Sequence, residues 1–192
     1  MKTYGTDIQG VFILEPQVFG DDRGYFFESF SERDFGKTVP GIRFVQDNES
    51  RSRRGVVRGL HFQMPPYAQS KLVRVVEGKV LDVAVDLRKG SPTFGEYVSI
   101  ELSGDNHRQL FIPKGCAHGF SVLSDEAVVA YKCDEFYHPE CEGGVAWNDP
   151  EIGIGWGFDE GDAILSDKDR DRPLLKDFET PFTIYYSSLK IQ

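Results

Sequence analysis

Short runs of β-branched and aromatic residues recur along almost the whole chain, each bounded by glycine, proline, asparagine or aspartate. The clearest runs are GVFIL, GYFFESF, IRFVQDN, KLVRVV, KVLDVAVDL, EYVSIEL, RQLFI, GFSVL and AVVAYKC. Strands of this length, separated by turn residues, are typical of β-sandwiches and barrels. We therefore predict an all-β fold.

Few segments have the pattern of a helix. Ser31 is a suitable N-cap for a short helix in SERDFGKTV, and LSDKDRDRPLLKDF offers another near the C-terminus. The chain contains no repeat and no low-complexity linker, and 192 residues suit one β domain. We predict that residues 1–192 form a single domain with a few short peripheral helices.

The overall charge argues against two classes of partner. The formal net charge is -9 and the pI is about 4.9, whereas nonspecific binding to nucleic acid or to an anionic membrane depends on a basic surface. Eight basic residues nevertheless gather between positions 43 and 79, with only three acidic residues among them. This basic island indicates either a site for a small anionic ligand or a solvated edge strand, and charge alone does not decide between them.

The cysteines and the N-terminal residues indicate the cellular compartment in which the protein works. Cys116, Cys133 and Cys141 are odd in number and form no CxxC pair, so they indicate neither a disulfide framework nor a zinc site. The first ten residues lack the apolar segment of a secretory signal, and no apolar run approaches the length of a membrane span. We expect a cytoplasmic protein with neither a membrane nor a nucleic acid as partner.

The segment KLVRVVEGKVLDVAV predicts a β-hairpin with Glu77-Gly78 as its two-residue loop. In that register Lys71 and Asp82 become diagonal neighbours on a face that otherwise carries valines. If this face is interior, both charges need partners, because an unpaired buried charge costs several kcal/mol or shifts its pKa. The alternative exposes the valines to solvent, so we favour the interior.

A metal site is one interpretation of His61 in VVRGLHFQ. Metal sites in such barrels gather two or three imidazoles and a carboxylate, but His61-Phe62-Gln63 lacks the second histidine of an HxH pair. Lys71 is the next charged residue, and its ammonium would repel a divalent cation. His118 adds only a second imidazole. We therefore predict no metal ligands.

The same residues suit proton transfer. A neutral His61 can accept a proton, and Lys71 can stabilise the oxyanion that develops when a proton leaves carbon beside a carbonyl. Tyr131, in VVAYKC, can return a proton from another direction. A single histidine or tyrosine in a β core is, however, more often a packed structural side chain. Spacing alone leaves both interpretations open.

Longer segments resemble a known family. FGDDRGYFFESF, FVQDNES, GVVRGLHFQMPPYAQSKLVRVVEGKVLDVAVDLRKGSPTFG, IPKGCAHGFSVLSDEAVVAYKCDEFYHPECEGGVAWNDPEIGIGW and ILSDKD resemble the dTDP-4-dehydrorhamnose 3,5-epimerases, in order, from about Gly10 to Pro173. The resemblance implies a homodimeric cupin-type jelly roll. It also implies conversion of dTDP-4-dehydro-6-deoxy-D-glucose to dTDP-4-dehydro-L-rhamnose with no metal or other cofactor. Both inverted carbons, C3 and C5, adjoin the C4 ketone, which makes their protons acidic.

The resemblance also implies roles for individual residues. His61 in RGLH is the expected base, and Asp167 in LSDKD is its expected carboxylate partner. Lys71 is expected to stabilise the enolate oxygen, and Tyr131 to reprotonate the opposite face. The expected substrate contacts are Arg23, Glu28, Gln46, Asn48, Arg58, His118, Tyr137 as the thymine-stacking ring, Glu142 and Lys168.

One implied pair of contacts conflicts with regular strand geometry. Arg58 and His61 have opposite parity, so in an unbroken strand they would face opposite sides of the sheet. Gly59 is where a bulge forms most easily. We therefore predict an irregular strand at Gly59.

Three alternative functions stay open at this point. Mono-epimerases of related dTDP-4-keto-6-deoxy sugars share the same His, Asp, Lys and Tyr set. A metal-dependent cupin and a non-catalytic nucleotide-sugar binder are more distant alternatives.

Overall fold

The computed structural model describes residues 1–184, and these residues form thirteen strands and a few short helices. The strands are β1 (Lys2–Gly5), β2 (Phe12–Glu15), β3 (Val18–Asp21), β4 (Gly24–Phe27), β5 (Gln46–Arg53), β6 (Val57–Gln63), β7 (Lys71–Glu77), β8 (Lys79–Asp86), β9 (Tyr97–Ser103), β10 (Gln109–Ile112), β11 (Cys116–Val122), β12 (Glu126–Cys133) and β13 (Glu142–Gly144). The helices are α1 (Glu32–Thr38), α2 (Asp167–Arg170) and three 3₁₀ turns, Pro139–Cys141, Glu160–Asp162 and Leu175–Asp177. Within residues 1–184, no helix is long and apolar enough to span a membrane.

Two antiparallel sheets pack face to face. The six-stranded sheet has the order β1-β2-β10-β7-β12-β5, and the five-stranded sheet has the order β13-β6-β11-β8-β9. Strands β3 and β4 form a separate hairpin. This arrangement is an all-β sandwich of the cupin jelly-roll type, as predicted.

Apolar side chains from both sheets fill the space between them. Val73 and Val129 of the six-stranded sheet pack in one cluster with Ala84, Phe120 and Leu102 of the five-stranded sheet. Strand alternation sends every second side chain into this interior. At the end of the sandwich where β6 ends and β7 begins, the side chains that face the interior are polar and include His61, Gln63 and Lys71.

The outer faces of both sheets are also covered. Phe35 of α1 packs edge-on against Phe111 of the six-stranded sheet. Trp156 and Leu175, from the segment after β13, pack in a cluster with Leu60 of the five-stranded sheet. This covering brings the C-terminal part of the chain alongside β6.

Both predicted helices are confirmed, and Ser31 caps the first of them as predicted. The Ser31 side chain accepts a hydrogen bond from the backbone N–H of Asp34 at the start of α1. The Ser166 side chain accepts one from the backbone N–H of Asp169 at the start of α2. These bonds satisfy N–H groups that have no partner within the helix.

The predicted hairpin at Glu77-Gly78 is wrong. Strand β7 pairs with β10 and β12, whereas β8 pairs with β9 and β11 in the other sheet. Glu77-Gly78 is instead a tight corner at which the chain passes from one sheet to the other. Gly78 suits this corner because its φ is +77° and a Cβ there would lie 2.0 Å from the carbonyl oxygen of Glu126. Lys71 and Asp82 do face the interior as predicted, but they approach it from opposite sheets.

Strand β6 is irregular at Gly59, which confirms the prediction. In its pairing with β11, His61 lies opposite His118 and Arg58 lies opposite Phe120. Three steps along β6 therefore match two steps along β11, which is the one-residue excess of a β-bulge.

The bulge changes which side chains of β6 face inward. Val57 and Leu60 both belong to the outer apolar cluster although they are three residues apart. Arg58 Nε donates to Ser52 Oγ at 3.1 Å, and Ser52 belongs to β5 of the six-stranded sheet. His61 lines the interior cavity. Arg58 and His61 thus share one face, as the predicted irregularity requires.

Replacing Gly59 with alanine tests this bulge. Gly59 has φ +133°, and a Cβ there would lie 2.5 Å from Gly119 Cα, whereas Gly24 has nearly the same φ, +129°, and open space around it. In chemical denaturation we expect Gly24→Ala to lose about 1 kcal/mol from its φ alone and Gly59→Ala to lose about 3 kcal/mol or more. Equal losses in the two variants would contradict the close packing of Gly59 on Gly119.

Candidate active site

A cavity of about 370 Å³ opens between the two sheets. It contains side chains from both walls, so a bound molecule would be contacted from two sides. The predicted site residues that line it are Gln46, Asn48, His61, Lys71, Tyr131, Tyr137 and Glu142. Gln63 and Gln69 line it as well and were not predicted.

His61 forms a close pair with Asp169. The distance from His61 Nε2 to Asp169 Oδ1 is 2.5 Å, and the Asp169 side chain is buried. Burial by itself would raise the pKa of Asp169, but the hydrogen bond and charge of His61 hold this pKa below its usual range. An ionised carboxylate accepts the hydrogen on Nε2, which leaves the lone pair of the neutral imidazole on Nδ1.

The prediction that Asp167 partners His61 is therefore wrong. The Asp167 side chain is 99% exposed and pairs with Arg170 on the surface. Ser166 caps α2, and two residues along a helix are about 200° apart around its axis. Asp169 consequently faces β6 while Asp167 faces outward. The helical phase after the Ser166 cap is the signal that separates the two aspartates of LSDKD.

Lys71 lies on the six-stranded sheet, across the cavity from the sheet that carries His61. Its ammonium is 5.8 Å from the centre of the Tyr131 ring. Burial lowers the pKa of Lys71 below its usual range, and the nearby Cys133, Asp82 and Glu142 oppose that shift. The site thus holds a largely desolvated lysine amine beside open space.

Tyr131 stands next to Lys71 on the same sheet. Burial raises the pKa of Tyr131, with Cys133 acting in the same direction and the positive charge of Arg58 acting against it. The phenol is therefore protonated at neutral pH. A potential proton donor and a lysine amine thus lie on the side of the cavity that faces His61.

His118 and Asp82 form a second histidine-carboxylate pair beside the cavity. His118 lies opposite His61 in strand register, and its Nε2 is 2.8 Å from Asp82 Oδ1. Burial lowers the pKa of His118, so the imidazole is neutral at pH 7. The other oxygen of Asp82, Oδ2, is buried and has no hydrogen-bond partner among residues 1–184. Sequence reasoning connected Asp82 only with Lys71 and missed this pair.

Glu142 gathers several groups at the mouth of the cavity. It accepts a hydrogen bond from Tyr137 Oη at 2.6 Å, and it pairs with Arg172 at 2.6 Å and with Lys168 at 3.4 Å. Burial would raise the pKa of Glu142, but the tyrosine hydrogen bond and both cations bring it below its usual range. Lys168 was a predicted contact, whereas Arg172 was not.

Arg23 and Glu28 are not among the residues that line the cavity. The Arg23 side chain is 90% exposed on the β3–β4 hairpin and pairs with Asp21. Aromatic residues of β4 pack on His107, which precedes β10, and Lys71 pairs with the opposite end of β10. Within residues 1–184, Arg23 is therefore not brought to His61.

The basic island divides in the folded chain. Lys71 lines the interior cavity, and Arg58 is exposed but hydrogen-bonds Ser52 of the six-stranded sheet. Arg51 and Lys79 form exposed ion pairs with acidic neighbours. In the part of the chain that the structure describes, no three His, Cys, Asp or Glu side chains cluster so as to hold a metal ion.

Comparison with known proteins identifies the family of this chain. The sequence model for dTDP-4-dehydrorhamnose 3,5-epimerase matches residues 5–177. The chain belongs to the dTDP-4-dehydrorhamnose 3,5-epimerase family. A member from Methanothermobacter thermautotrophicus is 54% identical over 171 residues, which cover 88% of this chain and 92% of the relative.

Solved structures of two further relatives show the same fold with nucleotide sugars bound. The Legionella pneumophila dTDP-6-deoxy-D-glucose-3,5-epimerase, in complex with dTDP-4-keto-L-rhamnose, is 49% identical with a TM-score of 0.89, over 93% of this chain and 94% of that one. A 3'-monoepimerase from Streptomyces bikiniensis, in complex with dTDP-quinovose, is 34% identical with a TM-score of 0.84, over 89% of this chain and 86% of that one. Double and single epimerases therefore share this architecture.

The titration of Lys71 tests the electrostatics of the cavity. We expect the ¹³Cε resonance of Lys71 to show a pKa below the ordinary lysine value of about 10.4, because burial disfavours the ammonium. Asp82→Asn removes a negative charge that raises the pKa of Lys71, so the variant should titrate at still lower pH. Glu101→Gln removes a carboxylate that pairs with Lys79 instead and should leave Lys71 unchanged. An ordinary lysine titration in the wild type would contradict this description.

Proposed function

We propose that this protein inverts C3 and C5 of dTDP-4-dehydro-6-deoxy-D-glucose without a cofactor and so produces dTDP-4-dehydro-L-rhamnose. The observation that carries the proposal is that His61, paired with Asp169, faces Lys71 and Tyr131 across a single cavity. The substrate class follows from family membership. Double inversion is favoured over single inversion because identity to a 3,5-epimerase is 54% and identity to the 3'-monoepimerase is 34%.

The first proposed step is removal of a proton from carbon. His61 takes the proton from the carbon beside the C4 ketone, and the ionised Asp169 stabilises the imidazolium that results. The electron pair of the broken C–H bond moves onto the C4 oxygen as an enolate. The ammonium of Lys71 stabilises that oxygen, and its effect is strong because the site is desolvated.

The second proposed step is return of a proton to the opposite face. Tyr131 donates its hydroxyl proton to the same carbon from the other wall, which restores the ketone with inverted configuration. His61 then releases its proton and Tyr131 regains one through solvent before the second carbon reacts. Each inversion breaks one C–H bond and forms another, so no oxidant or reductant is required.

The remaining polar residues are proposed to bind the nucleotide sugar. Tyr137 is the proposed platform for the thymine ring at the cavity mouth. The other proposed contacts within one subunit are Gln46, Asn48, Arg58, His118, Glu142 and Lys168.

We also propose that the protein acts as a homodimer in the cytoplasm, where its three free cysteines would stay reduced. The β3–β4 hairpin exposes Phe19, Tyr25 and Phe26 by 56%, 62% and 71%. Large exposed aromatic side chains of this kind are enriched at protein interfaces. In a dimer joined through this hairpin, Arg23 and Glu28 would contact the substrate of the partner subunit.

Incubation with the keto-sugar nucleotide in deuterated water tests the proposed reaction. Because each inversion returns a solvent-derived proton to carbon, we expect deuterium at both C3 and C5, measured by NMR and mass spectrometry of the product. Label at only one carbon would make the protein a mono-epimerase. Label at neither carbon would refute the enzymatic function.

Two aspartate variants provide a matched control for that experiment. Asp169→Asn should slow deuterium incorporation by about 100-fold or more, because it removes the charge that orients and stabilises the imidazolium. Asp167→Asn makes the same chemical change on the exposed side of the same helix and should retain the wild-type rate. Equal loss in both variants would contradict the assignment of Asp169 as the partner of His61.

A further inference from the structure

The side-chain amide of Gln63 joins three backbone groups beside the cavity mouth. Gln63 is the last residue of β6 and is 3% exposed. Its Nε2 donates to the carbonyl oxygens of Tyr67 and Phe136, the latter at 2.9 Å, and its Oε1 accepts from the backbone N–H of His138 at 2.7 Å. One amide therefore ties together two loops that are far apart in sequence.

These bonds hold the backbone on both sides of Tyr137. The residue before Tyr137 offers the carbonyl and the residue after it offers the N–H that Gln63 binds. The N–H of Tyr137 itself donates to Gln46 Oε1 at 2.9 Å. The backbone of Tyr137 is thus fixed by two buried or half-buried glutamines, while its side chain remains 51% exposed at the cavity mouth.

The two loops support each other beyond Gln63. The rings of Tyr67 and His138 stack with centres 3.6 Å apart and an angle of 8° between their planes. Gln69 Nε2 donates to the carbonyl oxygen of Glu135 at 2.8 Å. The loop after β6 therefore forms a base on which the loop carrying Tyr137 rests, and Gln63 lies at the junction.

We infer that Gln63 is a positioning residue for nucleotide recognition, which acts by holding the Tyr137 ring in place over the cavity mouth. This inference rests on the proposed function, in which Tyr137 is the platform for the thymine ring. To bind two backbone carbonyls and one backbone N–H at once, a side chain needs both a donor and an acceptor. An amide has both, whereas an ionised carboxylate and a thioether have no donor. A platform that is already ordered lowers the conformational cost of binding a flat ring.

Measurement of dTDP affinity tests the inference. Gln63→Met keeps the side-chain volume and removes both hydrogen-bonding functions, so we expect the Kd for dTDP to rise about 10-fold. The KM for the keto-sugar nucleotide should rise by a similar factor while kcat stays within about threefold, because the reacting carbons lie elsewhere in the cavity.

A double-mutant cycle with Tyr137→Ala separates positioning from a direct contact. If Gln63 acts through Tyr137, the double variant should bind dTDP no more than about twofold more weakly than Tyr137→Ala alone.

Asp149→Asn is the matched control, because Asp149 also bridges two segments by accepting backbone N–H groups, from Glu151, Ile152 and Leu175. That variant should lower the melting temperature and leave dTDP affinity unchanged.

The measurements of dTDP affinity distinguish failure of the Gln63 inference from failure of the proposed function. An unchanged Kd in Gln63→Met, or multiplicative losses in the double variant, would overturn it even if the wild type converts the keto sugar. A wild type that neither binds dTDP nor converts the keto sugar would overturn the proposed function as well. If Gln63→Met does not fold, Gln63→Glu, which keeps the shape and the acceptor but loses the donor at neutral pH, should show the same rise in Kd.

Discussion

The close packing of Gly59 against Gly119 is the constraint on which the site depends. A Cβ on Gly59 would lie 2.5 Å from Gly119 Cα, and a Cβ on Gly119 would lie 2.9 Å from the carbonyl oxygen of Arg58. Only two residues without side chains allow β6 to carry an extra residue here and still pair with β11. The bulge turns Arg58 and His61 toward the same face of β6, so the proposed base and a cation lie on one side of the strand.

Two buried carboxylates beside the cavity are paired with histidines, whereas Lys71 has no ion-pair partner among the described residues. Buried charges need partners because their desolvation is costly, and Asp169 and Asp82 each find a histidine. Lys71 forms no ion pair within the described residues, although several negative groups influence its pKa. Its ammonium is thus available to an oxygen atom of a ligand, as the proposed enolate chemistry requires.

Much of this architecture could be predicted from the sequence, because alternation and capping are local properties. The strand pattern predicted the sandwich, Ser31 and the segment LSDKDRDRPLLKDF predicted the two helices, and the parity of Arg58 and His61 predicted the irregular strand. Alternation also placed Lys71 and Asp82 in the interior.

The errors arose where local sequence is compatible with two arrangements. Glu77-Gly78 suits a hairpin loop or a corner between sheets, and only the pairing of β7 and β8 with other strands distinguishes them. LSDKD contains two aspartates, and the choice between Asp167 and Asp169 depends on how α2 docks on β6. The amide network of Gln63 involves residues 4, 73 and 75 positions away, so no local pattern reveals it.

The central claim is that His61 removes the proton on one side of the cavity and Tyr131 returns one on the other. It is tested most directly by measuring proton removal and inversion separately. In deuterated water, Tyr131→Phe should still exchange the protons at C3 and C5 of the substrate, because His61 can return a deuteron to the face from which it took the proton, but it should not invert either carbon. His61→Asn should neither exchange nor invert. NMR of the recovered sugar measures both properties at once. Exchange that persists in His61→Asn and is lost in Tyr131→Phe would contradict the assignment of base and acid.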